Sequence, residues 1–106
     1  MIGKTNECYI CGRTQWLEKH HIFGGANRQK SEKYGLTVML CHNDHNEPPN
    51  GVHHNKEAME RMHKVGQIHA MVSLDWDVDR FRKEIGKNYL EQYEIDSVEE
   101  IKNELK

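Results

Sequence analysis

Two groups of residues in this chain have the types and spacing for metal chemistry. Cys8-x-x-Cys11 places two thiolates on one tight knuckle, and Cys41 supplies a third. Zinc takes four ligands in a tetrahedron, usually as two pairs brought together by the fold. A second half-knuckle starting at Cys41 reaches Asp44 three residues on, with His42 and His45 as competitors for the fourth place. A redox pair is the other use of Cys-x-x-Cys, but the third cysteine and the nearby histidines favour a structural zinc. The second group is imidazole. Of eight histidines, six (His20, His21, His42, His45, His53 and His54) fall between residues 20 and 54. His20 and His21 are adjacent, and neighbouring side chains on a strand point to opposite faces. A division of labour follows, in which one holds a metal and the other orients a water. A neutral imidazole accepts a proton near physiological pH, and a divalent ion stabilises charge growing on a scissile phosphate. These are the parts of a one-metal phosphodiesterase. His63 and His69, at helical spacing, read as packing residues, and His54 as a neighbour of His53 that faces elsewhere.

The elements that must position these groups are short. Residues 16–22 and 36–40 are partly apolar runs with the character of paired strands. Residues 23–35, marked by glycine at 24, 25 and 35 and rich in basic side chains, read as a long loop, and such loops in small domains are usually functional. Arg28, Lys30 and Lys33 on it are candidates to pair with backbone phosphates, setting position rather than sequence. A short helix beginning after Cys41 must stop before Pro48-Pro49. Residues 54–72 repeat inward positions at Met59, Met62, Val65/Gly66, His69 and Val72, close to the helical period. A further helix is expected over 77–86, with Val78, Phe81 and Ile85 inward. A tail helix is expected over 97–105, with Ser97 as N-cap and Val98, Ile101 and Leu105 on one stripe.

Composition limits what the chain can be. With 106 residues it has room for one core. Hydrophobic residues are 36%, charged residues 30%, and mean hydropathy is -0.93, so no segment reads as a membrane span. So thin an apolar content implies another source of stability, and a metal closing the segment between Cys11 and Cys41 supplies one. Three cysteines cannot form a closed disulfide framework, which fits a reducing compartment. Met1-Ile2-Gly3-Lys4 lacks the apolar core of a signal peptide, and a cytoplasmic location is expected. The net charge of -2 conceals a +3 excess in residues 1–40 and a −4 excess in residues 91–106. A basic N-terminal part can bind a polyanion locally despite the overall sign.

Taken together, Cys8-x-x-Cys11, Lys19-His20-His21-Ile22 and Leu40-Cys41-x-x-x-His45-Asn46 resemble the HNH endonuclease family. More narrowly, residues 20–28, Tyr34-Gly35-Leu36, residues 46–53 and Gly86-Lys87-Asn88-Tyr89-Leu90 are similar to small HNH proteins of bacteriophages and prophages, and to RecA-dependent phage recombination nucleases. The resemblance covers about residues 8–90. It implies an α+β chain with a small ββα-metal core, a zinc knuckle and additional C-terminal helices. Residues 1–90 form the nuclease domain in this reading, and residues 91–106 an acidic, amphipathic helical tail.

The resemblance also assigns roles. His20 matches the family's metal ligand and His21 its general base. His45 matches the last letter of the motif and holds the same metal, with His53 as a third ligand by analogy with three-histidine members. Cys8, Cys11, Cys41 and Asp44 hold structural zinc, with Asp44 where the family usually has Cys. The Asn that precedes Leu-Cys in the family is missing from residues 35–39, leaving Thr37 or Asn27 to stand in. The implied activity is hydrolysis of DNA phosphodiester bonds with Mg, Mn, Ni or Zn at the active site, giving a 5′-phosphate and a 3′-hydroxyl. DNA is the implied partner, a recombination or packaging protein and a second copy of the chain are further ones, and a bacterial host is the implied setting. The competing reading is a non-catalytic zinc-binding module that contacts nucleic acid or protein, or a recombination accessory active only with a partner.

Overall fold

The computed structural model describes all of residues 1–106. Its apolar residues collect around one small antiparallel sheet. Strand β1 (Leu17–His21) pairs with β2 (Thr37–Cys41), placing His20 opposite Val38 and His21 opposite Thr37. β2 carries the continuous apolar run and is buried along most of its length, with Val38 and Leu40 fully enclosed. β1 alternates, so His20 turns inward while Lys19 stays at the surface. The architecture is α+β, as expected: a two-stranded sheet with five α-helices, plus single 3-10 turns at Gly25–Asn27 and Val52–His54.

The stretch expected to be a long loop contains helix α1 (Arg28–Tyr34). This corrects the sequence reading, and the reason is physical. α1 has no apolar stripe, and its one buried residue is Ser31. The Ser31 hydroxyl donates to the Phe23 carbonyl at 2.8 Å and accepts from the Phe23 amide at 3.0 Å, which clamps the helix to the chain leaving β1. The Gly35 amide then closes the last turn on the carbonyls of Ser31 and Glu32.

α2 (His42–Asn46) leaves β2 directly and ends before Pro48. α3 (Lys56–Ser73) is capped by Asn55, whose side chain accepts from the Ala58 amide at 2.9 Å. Its buried face is Ala58, Met62, Gly66, Gln67, Ala70 and Met71. That face is rotated from the expected one, because Met59, Val65, His69 and Val72 are only half-buried. Gly66 explains the packing. A Cβ there would lie 2.7 Å from Ile22 and 2.8 Å from Phe23, so α3 approaches the end of β1 at backbone distance. α4 (Val78–Ile85) buries Phe81 and Ile85, and Phe23, Trp76, Phe81 and Tyr89 form an aromatic cluster.

α5 (Gln92–Glu104) starts earlier than expected. Its start is set by a capping box in which the Glu94 side chain accepts from the Glu91 amide at 2.9 Å. Ser97, expected as the cap, sits inside the helix and donates to the Tyr93 carbonyl. Of the expected stripe only Val98 is buried, whereas Ile101 and Leu105 are exposed. Lys102 is buried in their place and donates to the Trp76 carbonyl at 3.0 Å. With Met71 and Leu90, Val98 forms a second small core, and a Lys64–Glu94 ion pair at 2.8 Å ties α5 to α3. No helix is long and apolar enough to cross a membrane.

Candidate metal centres and active-site cavity

The N-terminal knuckle is folded by backbone bonds before any side chain is considered. The Cys8 amide bonds to the Arg13 carbonyl, the Gly12 amide to the Cys8 carbonyl, and the Tyr9 amide to the Met39 carbonyl of β2. This brings Cys8 and Cys11 to the end of β2, where Cys41 and the first turn of α2 complete a cluster with Asp44. The Sγ atoms of Cys11 and Cys41 are 3.7 Å apart. The edge of a tetrahedron with zinc–sulfur arms of about 2.3 Å is about 3.8 Å. The Asp44 carboxylate accepts from the Cys8 thiol at 3.2 Å and from the Cys41 thiol at 3.3 Å. All three cysteines are free, and the donor set of three thiols and one carboxylate can hold a metal ion. His42 and His45, the competitors for the fourth place, lie outside this cluster.

Electrostatics in the knuckle describe thiols awaiting a cation. The Arg13 backbone hydrogen bond acts to lower the Cys11 thiol, but Asp44, burial and the neighbouring thiols outweigh it and push it up to about 12. Burial acts to raise Asp44, but the thiol hydrogen bonds hold its carboxyl below its ordinary value. Burial raises the Cys41 thiol as well. A metal replaces those thiol protons, since only thiolates ligate.

The second cluster is formed by His20 of β1, His45 of α2 and His53 of the second 3-10 turn, whose ligand atoms lie within 4.8 Å of one another. The Nε2 atoms of His45 and His53 are 2.9 Å apart. The His20 ring stands edge-on to both, with centroids 5.0 and 5.2 Å away. His20 is 2% exposed, and its Nε2 is the one buried side-chain nitrogen or oxygen in the chain without a hydrogen-bond partner. Unpaired buried nitrogens are costly unless something else binds them, so the site fits a cation. Burial, with the charges of His45 and His53, lowers the His20 pKa to about 3. Burial lowers His53 too. His20 is therefore neutral at physiological pH, the form that ligates.

Two contacts hold this cluster in shape. Glu18, two residues before His20 on β1, accepts from the Asn46 side chain at 2.8 Å and meets His45 Nδ1 at 3.0 Å. Carboxylates in this position fix the tautomer of a metal-binding histidine and leave its Nε2 lone pair free. Glu18 also meets His42, whose other ring nitrogen lies 2.7 Å from Glu47. The Glu18 hydrogen bond, followed by that of Glu47, raises the His42 pKa, and His42 in turn lowers Glu18. Gly51 is the second device. A Cβ there would lie 2.8 Å from the Glu47 amide and carbonyl, so the turn carrying His53 packs directly on the backbone at the end of α2.

A cavity of about 250 Å³ opens beside the imidazoles, lined by Lys19, His21, Gly24, Gly25, Arg28, His45 and His53. His21 lines it together with His45 and His53, although it follows His20 on the strand. Of the three basic residues expected to meet phosphate, Arg28 lines this cavity. Lys30 donates to the Glu84 carbonyl on α4, and Lys33 lies over the Tyr34 ring. Their placement on a helix, rather than on a loop, separates the three. Asn27 donates to the Ile85 carbonyl, and Thr37 sits opposite His21 in the ladder with its side chain buried; neither side chain hydrogen-bonds to the His21 ring. His63 stacks on Phe23 and packs against Tyr89, as a packing residue should. A larger groove of about 500 Å³, lined in part by Arg13, Trp16 and Glu47, contains none of the three clustered imidazoles.

Glu18 and Glu32 are functional candidates that sequence reasoning missed. Glu18 was legible in principle, because it shares a strand face with His20. Glu32 had no signal, lying in a segment with no apolar period. No protein-family model, no curated protein and no solved structure matches this chain.

Proposed function

We propose that the chain is a metal-dependent endonuclease of the HNH type, hydrolysing DNA phosphodiester bonds on a ββα-metal core made of β1, β2 and α2. The observation that carries this reading is the convergence of His20, His45 and His53 on one point, with His21, Lys19 and Arg28 around the adjoining cavity. His20, His45 and His53 hold the divalent ion. When bound, the ion supplies positive charge against the pentavalent phosphate and the departing 3′-oxygen. His21 takes the proton of the attacking water, which leaves the incoming oxygen on phosphorus as the 5′-phosphate product. Arg28 and Lys19 pair with phosphate oxygens and fix the strand in the cavity. Gly24 and Gly25 have open space where a Cβ would stand, so the backbone there leaves room for the phosphate. The thiol cluster holds zinc in a structural role.

Supercoiled plasmid with added Mg, Mn, Ni or Zn, and EDTA as control, tests the proposal. The chain nicks the plasmid with at least one metal and not with EDTA. His21→Ala lowers the rate by at least about 100-fold, while circular dichroism and a gel-shift assay find fold and DNA binding intact. Full activity in that variant removes His21 from the role of base. DNA binding without nicking under any metal returns the chain to the class of binding modules.

A further inference from the structure

We infer that Glu32 is the residue that positions His21, presenting its Nδ1 to the attacking water; this rests on the nuclease reading above. His21 Nε2 lies 2.7 Å from Glu32 Oε2. The other carboxylate oxygen, Oε1, accepts from Lys19 Nζ at 2.7 Å. Lys19 and His21 are two residues apart on β1 and share a face of the strand, so one carboxylate bridges both. An ionised carboxylate only accepts hydrogen bonds. Nε2 must therefore be the protonated nitrogen of the neutral ring, and the lone pair able to take a proton is on Nδ1. His21 lines the cavity that His45 and His53 also line, so that lone pair belongs to a ring already at the reaction site.

Glu32 can do this because of where α1 is anchored. Its neighbour Ser31 is fully buried and clamped at two points to the backbone of Phe23, itself two residues beyond His21. The helix thus holds Glu32 at a fixed height over the end of β1. The carboxylate is largely exposed, with 54% of its side chain accessible, so its worth is in orientation and not in stability. Neither the Thr37 nor the Asn27 side chain hydrogen-bonds to the His21 ring, whereas Glu32 does.

The test separates orientation from folding. Long-range proton–nitrogen NMR on the full chain loaded with zinc reads the tautomer of His21, with its signals assigned by loss in His21→Gln. The wild type shows the Nε2–H form, and Glu32→Ala shows a mixture of both forms at an unchanged melting temperature. In the nicking assay Glu32→Ala lowers kcat by about 100-fold, bounded by the loss in His21→Ala, and leaves KM within about twofold. A wild-type ring in the Nδ1–H form overturns the inference, and so does a Glu32→Ala chain with unaltered tautomer or unaltered kcat. A wild-type chain that nicks under no metal overturns the nuclease reading, and this inference with it. A nicking wild type with an indifferent Glu32 overturns only the inference.

Discussion

His20 concentrates the chemistry of the molecule at the scale of one residue. Its ring is enclosed, its Nε2 has no protein partner, and its pKa falls to about 3 from an ordinary 6.5. The consequence for stability has a definite sign. Below pH 6.5 the unfolded chain takes up a proton at this position, while the folded chain does not until about pH 3. Folded stability in the metal-free chain therefore falls as pH drops through that window, with a slope of up to ~1.4 kcal/mol per pH unit from this one group. His53, also lowered, adds to the slope in the same direction. His42 is shifted upward, so its contribution has the opposite sign: it is present below the ordinary 6.5 and is lost as pH rises through the raised pKa. Urea unfolding after chelation, at pH 7, 6 and 5, measures the effect, and a His20→Asn chain flattens it. A stability that stays level across that range contradicts the assignment. The cysteine cluster was legible from residue type and spacing, whereas the grouping of His20, His45 and His53 was read from the resemblance. The partners of the histidines were less legible, because the strand alternation that puts Glu18 beside His20 does not disclose its contacts with His42 and His45, and Glu32 lies in a segment with no apolar period.

Elements decide whether those residues meet. The one-turn helix carrying His53 sits against the end of α2 only because residue 51 has no side chain. Gly51→Ala puts a methyl group against the Glu47 backbone, and backbone cannot rotate away. The turn must lift, carrying His53 from His45. A destabilisation of about 1–3 kcal/mol is expected, with Ni²⁺ affinity, read by titration calorimetry, falling by about tenfold. Gly24→Ala, with open space at its Cβ, leaves that affinity unchanged. Equal Ni²⁺ affinity in the two variants contradicts this account of Gly51. The same physics explains which elements the sequence disclosed. The strands and α4 carry apolar residues at their own period and were found. The face of α3 was misplaced because Gln67 and Ala70 are buried without being large and apolar. Gln67 is satisfied there by Asn88 and the Tyr89 amide, a long-range pairing invisible to periodicity. α1 was hidden because one buried serine clamp, rather than a hydrophobic stripe, holds it in place.

At the scale of the whole molecule, the N-terminal knuckle joins the main hydrophobic cluster through Cys8. Of its two cysteines Cys8 is buried, whereas Cys11 and its neighbours Tyr9 and Ile10 are exposed. Several backbone bonds and the thiol contacts hold it against β2. Metal removal is therefore expected to act on folding as a whole. Treatment with a strong chelator lowers the melting temperature by about 10–20 °C, and Cys8→Ser does the same while removing one equivalent of zinc by mass spectrometry. A melting temperature indifferent to chelation, in a chain containing no zinc, removes the structural site. The short helix α2 links this site to the other one. Asp44 and His45 are consecutive residues on its five-residue length, one facing the thiols and the other the imidazoles. Neither can be drawn to an ion without setting the bearing of its neighbour. An ion bound at either centre would therefore change the affinity of the other, and by reciprocity each would change the other by the same factor.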